Sequence, residues 1–232
     1  MNINFDRLLS GAQNAKGLAV IIDVYRAYTC TPLLFSLGIK KAILVATPTD
    51  AFALKDQDSD LVLIGEVGGI PIEGFDYGNS PSQILNAKSD QFKGKIVVQR
   101  TSSGVQGVIA ALASADEVLL GSYNLAQATA RYIRSTKPKE VSLVAMGWDL
   151  KETAPEDEWC ARYLAYLLNA GDYNHLQALR EILFHQTTRK FLSGDAAHFP
   201  AEDPILCLQR DIHDFVLRAK REANMVIVER LT

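Results

Sequence analysis

The sequence is poor in the residues that build soft-metal and redox sites. Its 232 residues hold three cysteines and four histidines. Cys30, Cys160 and Cys207 lie far apart and form neither a CxxC pair nor a disulfide framework. A reducing, cytoplasmic setting is the expectation that follows. His175, His185, His198 and His213 show no HExxH or other zinc spacing and read as surface or packing residues. Long apolar runs are also missing. None approaches the ~18 residues of a membrane span, and the opening MNINFDRLLSGAQNAKG has no signal-peptide stretch. Net charge is -3 and no basic stripe recurs, which argues against a nucleic-acid partner. The P-loop pattern, the GxSxG elbow and a dinucleotide fingerprint after the first apolar strand are absent as well.

What the chain has is a rhythm of strand and helix. With 48% hydrophobic residues it can fill a sizeable core. Residues 18–23 (LAVIID), 42–47 (AILVAT), 61–66 (LVLIGE), 95–100 (KIVVQR), 117–122 (EVLLGS) and 140–146 (EVSLVAM) are short apolar runs of strand type. Helical spacing occupies 31–38, 47–55, 104–113, 125–134, 156–169 and 175–193. Continuous apolar strands between helices predict an α/β protein, one domain over 1–232, with a largely parallel or mixed sheet covered on both faces. The end, 213–231, predicts an antiparallel β-hairpin with an apolar final strand. An exposed edge of that kind would favour a homodimer. A shift of 75 residues lays Ile43, Leu44 and Val45 on Val118, Leu119 and Leu120, and Ile21 and Ile22 on Ile96 and Val97. Repeat units near 18–55 and 93–130 therefore suggest an internal duplication, although two strand–helix–strand units of equal length also look alike without one.

Polar segments follow the apolar strands, where α/β sheets place their ligands and where helix N-termini accept phosphate. The first, DVYRAYTCT, offers Asp23 and Arg26. Glu66 ends a third strand. A long irregular stretch, 65–83, carries Asp76 between Gly74 and Gly78, then Asn79, Ser80 and Pro81 in the form of a helix cap. The segment QRTSSG supplies Arg100, whose guanidinium can fork onto a phosphate, and the hydroxyls of Thr101, Ser102 and Ser103. Asp23, Glu66 and Asp76 form a hard-oxygen set suited to Mg²⁺. Glu156 and Asp157 open a late helix. They read equally well as a second acidic cluster near the metal or as charges favoured by the helix dipole.

These segments resemble one family. DVYRA (23–27), GEVGGIPIEGFDYGNSP (65–81), RTSSG (100–104), GSYNLAQA (121–128), PEDEWCA (155–161) and CLQRD (207–211) are similar, in this order, to the 2-phosphosulfolactate phosphatase family, over nearly the whole chain. The resemblance implies a three-layer α/β/α sandwich and a Mg²⁺-dependent hydrolase that frees phosphate from 2-phospho-3-sulfolactate in coenzyme M synthesis. Residue chemistry and the resemblance together assign catalytic roles to Asp23, Arg26, Arg100 and Thr101. Substrate contacts fall to Asn79, Ser80, Ser102, Ser103 and Asn124, and metal binding to Asp23, Glu66, Asp76, Glu156 and Asp157. Three positions depart from the pattern: Val67 stands where the family has Arg, Ser103 where it has Asn, and Ala145–Met146–Gly147 where it has Cys-Ala-Gly. The other readings are a phosphatase or lyase for a different organic phosphate, and a non-catalytic protein that binds one.

Overall fold

The structure is a computed structural model and describes residues 1–231, apart from the side chain of Ser89. The chain opens with β1 (Asn2–Arg7) and α1 (Leu8–Asn14), followed by β2 (Leu18–Ile22), α2 (Ala27–Ser36), β3 (Lys41–Leu44), α3 (Pro48–Gln57), β4 (Val62–Val67), β5 (Ile70–Pro71) and α4 (Pro81–Asn86). Then come β6 (Ile96–Arg100), α5 (Gly104–Ala111), β7 (Glu117–Gly121), α6 (Ala126–Thr136), β8 (Glu140–Ala145) and α7 (Pro155–Leu167). The last elements are α8 (His175–Phe184), α9 (Gln186–Leu192), α10 (Glu202–Cys207), β9 (Val216–Glu222) and β10 (Met225–Leu231).

All ten strands join one mixed sheet, in the order β1-β8-β2-β7-β9-β10-β3-β6-β4-β5. Strands buried on both faces explain the continuous apolar runs. From β2, Ala19 and Ile21 pack into one cluster with Tyr28, Val105 and Val108, while Val20 and Ile22 pack on the other face with Trp159, Leu164 and Ile182. This is the expected α/β/α layering. Local signals set the helix starts. Thr47 and Asp50 form a reciprocal capping box before Pro48, and Ser80 caps α4 ahead of Pro81.

The hairpin β9–β10 is present, but it lies in the middle of the sheet, between β7 and β3. The final strand is therefore paired on both sides, and the edges are β1 and β5. The hairpin thus offers no exposed strand edge through which a dimer could form.

The hairpin also exposes the symmetry behind the suspected repeat. β2 lies between β7 and β8, and β6 lies between β3 and β4. Exchanging β2, β3 and β4 for β6, β7 and β8 reproduces the order of these six strands read from the opposite edge. Each unit thus lends its first strand to the other. Equivalent strands start at 18 and 96, 41 and 117, and 62 and 140, so a shift of 75 falls one to three residues short of them.

The hairpin pairs antiparallel with β7 and β3, so the two halves of the sheet run in opposite directions. The C-terminal end of β2 and the start of α5 nevertheless meet. The Gly104 amide donates to Asp23 Oδ2 at 2.7 Å across the junction.

Candidate active site

A small cleft opens at that junction. Its walls include Asp23, Arg26, Glu66, Asn79, Ser102, Ser103, Glu156 and Asp157, all foreseen from the sequence, together with Tyr25, Trp148, Lys190, Phe191 and Phe199, which were not. Four carboxylates meet there, each nearly buried: Asp23 and Glu66 at 6% exposure, Glu156 and Asp157 at 3%.

Each carboxylate is held by amides or hydroxyls. Glu66 accepts from Ser102 N (2.6 Å) and from Gly69 N (2.5 Å), which folds the loop after β4 around it. Asp157 bridges two strand ends, accepting from Val24 N at 2.7 Å and Gly147 N at 2.8 Å. Glu156 accepts from the Thr187 hydroxyl at 2.9 Å, which docks α9 onto the site. The acidic pair that opens α7 therefore faces inward and does more than complement a helix dipole.

Gathering these charges away from water disfavours their ionised forms. Burial, with repulsion from Glu66 next, pushes Asp23 up to about 7, against the pull of the Gly104 amide. Burial alone takes Glu156 up to about 7. Asp157 is raised well above the carboxylate range by burial and then by Asp23 and Glu156. Burial also brings the Lys190 ammonium down to about 7, against the attraction of Glu156.

A pH dependence follows. Asp23 binds its proton more tightly in the folded chain than in the unfolded one, so the folded state carries the extra proton between about pH 4 and 7. Stability is then lost as pH rises through that window. Asp23→Asn removes the effect. In EDTA, the melting temperature of the variant minus that of the native chain should grow from pH 5 to pH 7.5. A difference that stays flat would show that Asp23 ionises normally.

Five foreseen residues do not line the cleft. Asp76 accepts from Leu63 N at 2.8 Å and pairs with Lys55 at 3.4 Å, so it fastens the 72–78 loop to β4 well outside the acidic cluster. Arg100 donates to Glu66 O at 2.5 Å, to Ala46 O at 3.4 Å and to the Ser102 hydroxyl at 3.2 Å. It clamps the ends of β3 and β4 from behind, because carbonyls at neighbouring strand ends need donors. Thr101 caps α5 through Val105 N at 3.0 Å. Ser80 caps α4 and donates to Asp203 at 2.9 Å. Asn124 donates to Gln209 O at 2.9 Å and holds the segment after α10.

Arg26 lines the cleft but is heavily engaged. It pairs with Asp203 at 3.1 Å and donates to His198 O and Gly69 O, each at 2.9 Å. Asp203 is fully buried and also accepts from Ser80 and Ser82. Asp203, Lys190 and Phe191 escaped the sequence reading, since α9 and α10 are short helices whose site residues lie outside the quoted motifs.

Fold and cleft together define an α/β protein with a buried acidic site, flanked by guanidinium and ammonium groups, at the junction of two swapped strand–helix units. The chain belongs to the 2-phosphosulpholactate phosphatase family, whose model matches residues 6–222. It is 29% identical over 215 residues to a probable 2-phosphosulfolactate phosphatase of Bacillus subtilis, covering 91% of each chain. A protein of the same description from Thermoplasma volcanium is 29% identical over 204 residues, 88% of this chain and 90% of its own. The match to one from Deinococcus radiodurans is 33% over 157 residues, 67% of this chain and 64% of that protein.

Proposed function

We propose that the chain is a phosphoric monoester hydrolase that removes phosphate from 2-phospho-3-sulfolactate or a close phosphorylated hydroxy acid, with Mg²⁺ as cofactor. The observation that carries this reading is the buried carboxylate cluster itself. Asp23 and Glu156 sit near the neutral–charged balance at pH 7 and lack a cation to offset them fully. Family membership supports the choice of reaction and substrate.

Among the described residues, no three His, Cys, Asp or Glu side chains form a group that could hold a metal ion by themselves. The donor set suits Mg²⁺ nonetheless, because that ion commonly keeps several waters and takes one or two carboxylates plus substrate phosphate. Asp23 and Glu156 are the residues that would hold it. When bound, the ion offsets charge on the phosphoryl oxygens and acidifies a water. The chain's own groups do the rest. Ser103 caps α5 without a side-chain hydrogen bond to that helix and lines the cleft, where its hydroxyl is a candidate donor to the phosphate. Asn79 is held weakly through its oxygen by Gln99 at 3.5 Å, which leaves its NH₂ for an anion. Donors fixed in advance stabilise charge as it develops, without reorganisation. Three buried free cysteines support a cytoplasmic setting.

Phosphate release from a panel of phosphorylated hydroxy acids tests the proposal. Release with Mg²⁺ should exceed release in EDTA by ~100-fold or more, the scale of an electrostatic contribution to phosphoryl transfer. Full activity in EDTA removes the metal from the mechanism. Silence on every phosphate ester, with Mg²⁺ present, rejects the phosphatase.

A further inference from the structure

A phosphorylated hydroxy acid carries a second acidic group, a carboxylate or sulfonate, and that group needs a cation. Position 67, where the family pattern has Arg, does not provide one. Val67 is 48% exposed, and it does not line the cleft although Glu66 and Gly68 on either side do. Arg26 is bound to Asp203 and two carbonyls, and Arg100 is turned onto strand-end carbonyls.

Lys190 of α9 is differently placed. It belongs to none of the ion pairs among the described residues. Its ammonium rests 2.8 Å from the centroid of the Trp148 ring and 4.7 Å from that of Phe199. Aromatic faces hold a cation in place without consuming its N–H donors as a carboxylate would. Lys190 also stands at a boundary. It lines both the inner cleft, with about 50 Å³ of free space, and an adjoining outer cavity of about 360 Å³. Lys151 borders the outer cavity too, but it is 78% exposed and tied to Asp149 at 2.7 Å.

We propose that Lys190 is the specificity-determining cation of the site. It binds the carboxylate or sulfonate of the substrate at the mouth of the outer cavity while the phosphoryl group occupies the inner cleft. The proposal rests on the phosphatase reading for the inner group and makes its own claim about the outer one. α9 is suited to the task because Thr187 anchors it to Glu156 and Thr188 to the Tyr25 hydroxyl at 3.1 Å. Lys190 is thereby fixed relative to the acidic cluster.

The test compares Lys190→Met and Lys190→Arg with the native chain, in Mg²⁺, on 2-phospho-3-sulfolactate and on phenyl phosphate, which lacks the second acid. A charged hydrogen bond corresponds to about one to two decades in affinity. The ratio of kcat/KM for phosphosulfolactate to that for phenyl phosphate should fall ~10–100-fold in Lys190→Met, mainly through KM. Lys190→Arg should restore most of it. An unchanged ratio overturns the proposal, whether both activities fall together or neither does. If the native chain hydrolyses neither ester, calorimetric titration with 3-sulfolactate decides the role of Lys190, and the phosphatase reading fails by itself where no ester of the panel is cleaved. Binding weakened tenfold or more in Lys190→Met sustains it. Equal affinity, or no binding by the native chain, overturns it.

Discussion

Asp23→Asn is expected to lower kcat/KM for phosphate release by about three orders of magnitude while leaving the fold intact. Electrostatic and acid–base groups at a reacting centre typically contribute 10²–10⁴-fold. Asp23 is the carboxylate on which the others converge: it stands at the end of β2, feels both Glu66 and Glu156, and touches the first amide of α5. Asparagine keeps the shape and keeps an oxygen for the Gly104 amide. It removes the negative charge that a bound metal ion would require. The same change relieves repulsion within a buried acidic cluster, so the melting temperature should stay level or rise. Activity and stability thus move in opposite directions, as expected where a site holds groups that the fold alone would not favour. Phosphate-release kinetics and a thermal melt on the same preparation check both halves. Native kcat/KM in the variant would reduce Asp23 to a helix cap for α5.

The sequence was readable wherever chemistry and chain position coincide. Strands buried on both faces leave continuous apolar runs, so β2, β3, β4, β6, β7 and β8 could be placed within a few residues. The carboxylates Asp23 and Glu66 end or follow such strands, and Glu156 and Asp157 begin a helix after another. All four line one cleft. β1 was not foreseen. Its run, NINFDR, is an edge strand with an irregular, half-exposed pattern that mimics a polar terminus. The central place of the hairpin was equally hidden, since local pattern gives pairing within a hairpin but not what flanks it. Asp76 and Arg100 show the limit on the functional side. Both have the right chemistry in a matching motif, yet Asp76 is drawn to the Leu63 amide and Arg100 to the Glu66 and Ala46 carbonyls. A motif records that a residue is needed, and the same letters serve a loop clamp or a ligand. Lys190 shows the converse: a lysine in a short helix with no motif around it becomes notable only when Trp148 and Glu156 are brought beside it.

Asp203→Ala is expected to be the most damaging single change for stability. Asp203 is completely buried and serves four donors: Arg26 Nη1 at 3.1 Å, Ser80 Oγ at 2.9 Å, Ser82 N at 3.1 Å and Ser82 Oγ at 2.6 Å. It therefore joins α10 to the start of α4 and to the turn after β2. Removing one partner of a buried ion pair strands the other charge, which typically costs about 3–5 kcal/mol. For a chain of this length that corresponds to a fall of roughly 6–20 °C in melting temperature. The effect should reach the cleft, because Arg26 also holds the Gly69 and His198 carbonyls and lies 5.3 Å from the ring centroids of both Phe191 and Phe199. A second substitution separates a lost ion pair from a simple cavity. Arg26→Met removes the stranded guanidinium and keeps an unbranched apolar chain against the two phenylalanines. If the uncompensated charge is what costs stability, the double variant should melt above Asp203→Ala alone, and the two single losses should exceed the loss in the double. Additive losses would mean that Asp203 acts through Ser80 and Ser82 only. A shift within 2 °C of the native chain for Asp203→Ala would show that the buried pair contributes nothing to holding the α4–α10 wall in place.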